Sequence, residues 1–311
     1  MFTPYTLEKV WLFKAILPIM IVLHHFAFFY GYPPYFAKLG LPLVSCFFAM
    51  SGYGLMTSYL KKGDSYFHGF ISHVLSKLLS PYLLALIVYV PIVLVINKQS
   101  LTDYLCETNF IDWLRFSWFV WVILGGYFLF YFIFKMKTSI HVKVLLYAIV
   151  TGVYYLSCYY VLDGKLPCVY RTSYALWLGM IWKMGEQKII PLLTKPYILL
   201  MSLVICSIAF ILSLKAESLL LNPLFSVMLF ICLAYCGFKG GDCKIISVLS
   251  KVSYEFYLWQ GLSILVVCDV FGCNIFKLAI PLCLGLNFIF SYLAHYFNKK
   301  VICQILVHPR A

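Results

Sequence analysis

The sequence predicts an all-α, polytopic membrane protein with about ten transmembrane helices and with both termini in the cytoplasm. Of its 311 residues, 63% are hydrophobic and only 11% are charged, whereas a soluble domain is nearer half apolar and a quarter charged. Apolar runs of roughly 20 residues, the length that crosses a bilayer, recur from end to end of the chain. Lys residues concentrate in alternate connections between these runs. Composition, run length and charge alternation together indicate the lipid bilayer as the medium in which the chain folds.

The ten apolar segments are predicted to be helices because lipid cannot satisfy the open backbone groups of isolated strands, and no alternating barrel pattern is present. Their borders are expected to be accurate to a few residues. They cover about 8–30, 39–60, 74–97, 116–135, 141–161, 172–187, 196–214, 219–238, 250–270 and 275–298.

The basic residues orient these segments. The connections that follow spans 2, 4, 6 and 8, together with the C-terminal tail, hold fifteen Lys and Arg residues, and the five other connections hold seven. Cytoplasmic connections are enriched in Lys and Arg, so the first set is predicted to face the cytoplasm. Lys9 and Lys14 agree with an N-terminus on the same side. The acidic connection 97–115 is then predicted to face outward.

The domain organisation is predicted to be one transmembrane domain over residues 1–300, followed by a short cytoplasmic tail over 301–311. The first apolar run, Val10 to Tyr30, is too long for the apolar part of a signal peptide. A net charge of +13 could indicate nucleic-acid binding. The basic residues instead lie in small groups at the ends of apolar segments, which is typical of membrane topology, so no nucleic-acid partner is expected.

Ionisable side chains inside the first span are the first candidate site, because such groups are costly in a bilayer. His24 and His25 lie roughly two thirds of the way across from the inner end, at about 1.5 Å per residue. A histidine can remove a proton from a hydroxyl near neutral pH, but it can equally bond a neighbouring helix. Lys14 lies eleven residues before His25, close to three turns, and therefore on the same side of the helix. It can instead extend to the inner interface.

Two further places carry ionisable groups. Glu255 lies near the inner end of the ninth span, where Lys251 one turn earlier is an alternative, structural partner. His68, His73 and Lys77 lie in an inner connection and could hold phosphates, or could be ordinary cytoplasmic charge. Motifs of metal sites, phosphate loops and Ser-His-Asp triads are absent from the sequence. No metal is expected, and His141, His295 and His308 are assigned no role.

Taken in order, five short motifs resemble the acyltransferase 3 family of bacterial membrane enzymes, and the resemblance covers nearly the whole chain. The family has a basic residue eleven positions before a histidine in its first span, a Phe-Phe-x-x-Ser-Gly run, a basic pair before a proline, a Trp-Phe or Trp-Tyr pair, and a Ser-Tyr-x-x-Tyr-Leu-Trp element. The matching positions are Lys14 and His25, Phe47–Gly52, His73 and Lys77 before Pro81, Trp118–Phe119, and Ser253–Trp259.

The resemblance implies an enzyme of the bacterial cytoplasmic membrane that transfers an acyl group, usually acetyl, from acetyl-CoA to a hydroxyl of a carbohydrate. The acceptor would be a polysaccharide, a lipid-linked glycan or a glycosylated metabolite of the cell envelope, and acetyl-CoA would be a donor substrate rather than a bound cofactor. It implies His25 and Glu255 as catalytic residues, and Lys14, His73 and Lys77 as donor-binding residues. The residues of the substrate cavity would be His24, Ser51, Trp118, Tyr254, Tyr257 and Gln260.

Three positions depart from the family pattern. Lys14 stands in place of an arginine, His73 and Lys77 match an arginine pair only loosely, and Gln260 stands where many members have histidine. Lys lacks the bidentate fork of Arg, so donor binding is expected to be weaker here.

Two other functions stay open from the sequence alone. A glycan or metabolite transporter, or flippase, would explain ten spans and buried polar groups without acyl-transfer chemistry. Such transporters often show broken helices at corresponding positions of two halves, and no such pair is visible. A membrane sensor or scaffold would make the intramembrane polar groups structural. Binding of CoA separates the enzyme from both alternatives.

Overall fold

A computed structural model describes residues 7–31, 34–162, 166–193, 195–215, 244–272 and 276–302. These residues form helices and turns, with no strand among them, so the predicted all-α class is confirmed for this part of the chain. The α-helices are α1 Leu7–Tyr30, α2 Gly40–Lys62, α3 Phe70–Val74, α4 Ser80–Asn97, α5 Leu101–Glu107, α6 Trp118–Phe134, α7 Ile140–Val161, α8 Pro167–Arg171, α9 Tyr174–Leu193, α10 Pro196–Lys215, α11 Lys244–Lys251, α12 Ser253–Ile264 and α13 Phe276–Phe297. Short 3₁₀ or π turns flank several of them, among them Pro34–Lys38, Gly63–Phe67, Leu75–Leu79, Phe110–Asp112, Leu265–Val270 and Asn298–Ile302.

Five stretches of continuous helix in the described residues are long and apolar enough to cross a bilayer, and the 17-residue helix Trp118–Phe134 is a shorter apolar one. The five are Phe13–Tyr30, Gly40–Phe67, Phe70–Asn97, Ile140–Val161 and Leu278–Lys300. Large apolar side chains are exposed on them, such as Ile87 (70%) and Val161 (79%). In water these exposures would be unfavourable, and lipid tails remove the penalty, so the chain is a membrane protein.

Nine of the ten predicted spans coincide with helices. The eighth, 219–238, lies outside the described residues, as does most of the predicted tail 301–311. The ten-span topology and the cytoplasmic placement of the termini remain predictions. The connection 97–115, predicted to face outward, contains the short helix α5. Ser100 begins that helix by accepting a hydrogen bond from the backbone N–H of Asp103 at 3.1 Å.

The chain divides into two compact units. The first comprises residues 1–68 and 125–250, and the second comprises residues 69–124 and 251–311. Both are built from segments distant in sequence, so neither corresponds to one half of the chain. This division into units does not test the single transmembrane domain predicted for residues 1–300, which remains a prediction.

In the first unit, α2 and α9 cross with their backbones in direct contact. A Cβ atom added to Gly52 would overlap the carbonyl oxygen of Leu176, and one added to Gly179 would overlap the carbonyl of Ala49. Small residues at helix crossings allow this approach in membrane proteins, where van der Waals contact replaces the hydrophobic effect. Gly52 ends the Phe-Phe-x-x-Ser-Gly match, so this position of the motif has a packing function.

In the second unit, α12 is the central helix. Eleven of its twelve residues are buried, which is typical of a helix surrounded by protein rather than one facing lipid. Asn287 of α13 is fully buried, and its Nδ2 donates to the carbonyl oxygen of Phe256 at 2.8 Å. Ser263 Oγ donates to Asn287 Oδ1 at 3.3 Å. Polar side chains therefore fix the register of α12 against α13.

Candidate functional site

The two adjacent histidines of α1 lie in different surroundings, as their 100° separation predicts. The Nδ1 atom of His24 lies 3.1 Å from the carbonyl oxygen of Phe36. A carbonyl only accepts, so Nδ1 carries the proton of that bond. The ring also fills the space beside Gly40, where an added Cβ would overlap it. His24 thus fastens α1 to the connection that leads into α2.

His25 is the more buried of the two, at 7% exposed. Its ring centroid lies 5.0 Å from that of His24 and 6.2 Å from that of Phe29. Lys14, predicted on the same side of α1, is exposed. The exposure of Lys14 leaves both of its alternatives open, a donor-binding residue or a side chain that extends to the inner interface, and the functions predicted for His25 and Lys14 remain predictions.

Ser51 of α2 is half-buried and hydrogen-bonds with the side chain of Tyr127 in α6. It precedes Gly52, so the close α2–α9 crossing fixes its position on the helix. A hydroxyl pair inside an apolar unit can donate to and accept from a polar ligand. Ser51 was predicted from the motif, and Tyr127 was not.

A second polar cluster of the first unit was also missed by sequence reasoning. Tyr53 donates to Glu186 Oε1 at 2.9 Å. Lys183 forms an ion pair with Oε2 of the same carboxylate, one turn apart on α9, and its Nζ lies 5.2 Å from the centroid of the Tyr53 ring. The three groups satisfy each other, which indicates a structural link between α2 and α9.

In the second unit, the predicted donor-binding residues His73 and Lys77 are exposed. Lys77 lies in the π turn Leu75–Leu79, directly before α4. The next carbonyl, that of Leu78, accepts a hydrogen bond from the hydroxyl of Tyr254 at 2.8 Å. One predicted cavity residue, Tyr254, is therefore anchored beside one predicted donor-binding residue.

Aromatic contacts connect the Trp-Phe pair to α12. Trp118 is half-buried at the first position of α6. The ring centroid of Phe119 lies 3.9 Å from that of Tyr257 and 5.9 Å from that of Tyr254. Phe116, just before α6, has φ +70°, a strained value for a residue other than glycine. The structure thus assembles the Trp118 and Tyr254–Tyr257 motifs within one unit.

Glu255 is paired with His295, a residue to which the sequence analysis assigns no role. Its side chain is 6% exposed, and Oε1 lies 2.7 Å from Nδ1 of His295, in the last turn of α13. The pairing with Lys251 that the sequence offered as an alternative is wrong, because Glu255 turns into the unit while Lys251 is exposed.

Gln260 is completely buried, and neither its Nε2 nor its Oε1 has a hydrogen-bond partner. An unsatisfied buried amide costs about 1–3 kcal/mol. Such a cost is typical of residues kept for a ligand or for function. This observation fits the predicted place of Gln260 in a substrate cavity.

A family model described as an acyltransferase domain matches residues 9–296, nearly the whole chain. The chain belongs to the acyltransferase 3 family. No curated protein and no solved structure matches it.

Membership of the acyltransferase 3 family makes the protein a membrane acyltransferase. The matched region contains every predicted site residue, from Lys14 and His25 in the first unit to Glu255 and Gln260 in the second. It also contains His295, one residue before its end. The family match therefore confirms the resemblance on which those residues were selected, while their individual functions belong to the proposal below.

Proposed function

We propose that the protein is an O-acetyltransferase of the bacterial cytoplasmic membrane that moves an acetyl group from acetyl-CoA to a hydroxyl of a carbohydrate. The acceptor is a polysaccharide, a lipid-linked glycan or a glycosylated metabolite of the cell envelope. The observation that carries the proposal is a buried histidine, His25, within the first helix of an acyltransferase 3 family member.

His25 is the general base of this reaction. Its imidazole removes the proton of the acceptor hydroxyl as the oxygen attacks the carbonyl carbon of the thioester. The carbon–sulfur bond then breaks, the electron pair leaves with sulfur, and the products are an acetyl ester and CoA. A histidine suits this step because its ordinary pKa lies near neutral pH. A positioned general base contributes about 10²–10⁴-fold to the rate.

The donor carries several phosphate charges, so its binding needs cations that are accessible from water. The exposed side chains of His73 and Lys77, and the exposed Lys14 on α1, support that assignment. Lys and His act as point charges toward phosphate and lack the paired donors of Arg. Exchange of Lys77 for Arg is therefore expected to lower the KM for acetyl-CoA.

The acceptor requires groups that hydrogen-bond its hydroxyls and pack against its ring. Ser51, His24, Trp118, Tyr254, Tyr257 and Gln260 are the candidates. Gln260 is the most specific of them, because its buried amide has two donors and an acceptor without partners. Glu255, predicted as the second catalytic residue, supports the reaction through the buried carboxylate that it presents to His295.

The direct experiment uses purified protein in lipid nanodiscs, acetyl-CoA labelled in its acetyl group, and a glycan extract from bacterial envelopes. The proposal predicts label in the glycan fraction, released by mild base as expected for an ester. Binding of CoA is measured in the same preparation by calorimetry. Absence of both CoA binding and label transfer would overturn the proposal and favour a transporter.

A further inference from the structure

A buried carboxylate and a partly accessible imidazole form a pair in the second unit. Glu255 Oε1 and His295 Nδ1 are 2.7 Å apart, and the two side chains are 6% and 33% exposed. A carboxylate accepts hydrogen bonds, so Nδ1 of His295 carries the donated proton. Glu255 thereby fixes both the ring orientation and the tautomer of His295, as carboxylates do for catalytic and metal-binding histidines.

This arrangement makes Nε2, the second ring nitrogen of His295, the atom that can exchange a proton with a reactant. Because Nδ1 is engaged with the carboxylate, Nε2 is the ring position through which a proton can enter or leave. The ring is one-third exposed, so a reactant can reach it, whereas Glu255 is almost fully enclosed. Of the two residues, only His295 can touch a substrate.

The pair lies at the end of the second unit that carries the predicted donor-binding cations. Tyr254, next to Glu255, donates to the carbonyl of Leu78, which follows Lys77. Ser80 Oγ donates to Oδ1 of Asn298, one turn after His295, at 2.6 Å. These two bonds hold the starts of α12 and α4 and the end of α13 together.

The charged and titratable groups on the elements at this end are few. His73 and Lys77 lie on the segment before α4, Lys251 lies before α12, and Lys299 and Lys300 follow α13. All five are exposed, and Lys300 lies over the ring of Tyr296 at 4.7 Å. Glu255 is the acidic group among them, so the imidazole of His295 has one anionic partner and several cations nearby.

We propose that His295 is a catalytic acid of this acyltransferase, and that Glu255 is its positioning residue. This inference rests on the proposed acetyl transfer from acetyl-CoA. As the carbon–sulfur bond breaks, the electron pair leaves with sulfur, and sulfur takes the proton from Nε2 of His295. The imidazole then regains a proton from water, which balances the proton that the acceptor hydroxyl releases when it attacks.

The test compares CoA release by wild type, His295→Gln, His295→Ala and Glu255→Gln across pH, in nanodiscs with acetyl-CoA and glycan extract. We expect His295→Gln to lower kcat by about 10²–10⁴-fold, with the KM for acetyl-CoA within about two-fold of wild type. We also expect the pH–rate profile of the variant to differ from that of wild type, because the proton-donating imidazole is absent. Added imidazole should restore part of the activity of His295→Ala, because the position is accessible.

The matched control is His141→Gln, an exposed histidine of α7 in the first unit, which should behave as wild type. Wild-type rate and pH profile in His295→Gln would overturn the inference, and so would a lowered rate with an unchanged pH profile, which indicates only a structural bond between helices. If His295→Gln fails to fold, Glu255→Gln decides, since full activity in that variant contradicts a positioning carboxylate. Absence of CoA release by wild type would instead refute the proposed function.

Discussion

The two units hold their helices together by different means. In the first, α2 and α9 touch through backbone at Gly52 and Gly179. In the second, α12 is surrounded by protein and is bonded to α13 through Asn287, Ser263 and the Glu255–His295 pair. Lipid tails are as apolar as the side chains of the helices, so packing and hydrogen bonds must replace the hydrophobic effect in both. This chain therefore uses close backbone packing in one unit and interhelical hydrogen bonds in the other.

The difference matters for function. In the first unit the packing contact at Gly52 and the candidate polar group at Ser51 are adjacent but separate residues. In the second unit Glu255 belongs both to the interhelical bonding and to the candidate site. A substitution at Gly52 or at Ser51 should therefore change mainly stability or mainly activity, whereas a substitution at Glu255 should change both.

The largest loss of stability is expected from substitutions that break the backbone contact between α2 and α9 in the first unit. Gly52→Ala and Gly179→Ala each place a methyl group on a backbone carbonyl oxygen of the other helix. A backbone carbonyl cannot move aside unless the two helices separate. We expect each to cost about 3 kcal/mol of folding free energy. The measurement is the melting temperature of detergent-solubilised protein, followed by size-exclusion chromatography.

Gly54→Ala is the matched control, because an added Cβ at that position of α2 meets nothing within 4 Å. Its melting temperature should equal or exceed that of wild type, since alanine favours helix over glycine. Equal stability of all three variants would contradict the backbone crossing.

A smaller effect is expected from the polar bonding of the second unit. Asn287→Ala removes the bonds to Phe256 and Ser263 from a fully buried position. Interhelical hydrogen bonds in membranes contribute about 0.6 kcal/mol on average, so two of them predict a loss of about 1 kcal/mol. Asn97→Ala, at the exposed end of α4, is the control and should leave the melting temperature unchanged. A loss as large as that of Gly179→Ala would remove the contrast between the units.

An exposed ion pair of the second unit is expected to contribute least to stability among the charged contacts. Arg115 Nη1 and Asp269 Oδ2 are 3.2 Å apart, with side chains 26% and 40% exposed. Such pairs contribute about 0–1 kcal/mol and weaken with salt. Asp269→Asn should therefore lower the melting temperature slightly at low ionic strength and not at about 0.5 M salt. A lowered melting temperature that persists at about 0.5 M salt would contradict this expectation, because salt screens only a pair that is exposed to solvent.

The pH dependence of stability can be followed at Asp112, in the connection before α6. Burial raises the pKa of this carboxyl above its ordinary value. The folded state therefore binds the proton more strongly than the unfolded state, and the resulting stability is present below the ordinary pKa and is lost as the pH rises through the raised value. Asp112→Asn should remove this fall over the range that begins at the ordinary carboxyl pKa of about 4 and extends upward. An unchanged difference between variant and wild type across that range would contradict it.

Much of the helical layout could be predicted from the sequence, because apolar runs of membrane length are strong signals. The helices α1, α2, α7 and α13 lie within a few residues of the predicted spans. The helix α5 was missed because a short polar helix gives no apolar run, and Ser100 was its remaining signal.

The pairing of Glu255 with His295 could have been predicted from the same layout. A short connection makes spans 9 and 10 antiparallel neighbours, so residues equally far from the connection lie at the same depth. The bonded pairs Ser263–Asn287 and Glu255–His295 are both centred on residue 275. Periodicity within one helix suggested Lys251 instead, because it considers partners one turn away and not those on the next helix.

The close α2–α9 crossing and the Tyr53–Lys183–Glu186 cluster could not be predicted. Both join segments more than a hundred residues apart, and nothing in either segment alone specifies its partner. The glycines of α2 read alike in sequence, yet Gly52 is in backbone contact and Gly54 is in open space.

The central claim is that His25, and not its neighbour, is the base of an acyltransferase. The most direct measurement is the rate of CoA release from acetyl-CoA in the presence of glycan extract, for wild type, His25→Ala and His24→Ala purified as folded protein. The account predicts a loss of about 10²–10⁴-fold in His25→Ala and a smaller loss in His24→Ala, which removes a candidate acceptor contact and the bond to Phe36 but leaves the base in place. Near wild-type release by His25→Ala would contradict the account, and a loss confined to His24→Ala would move the base by one residue.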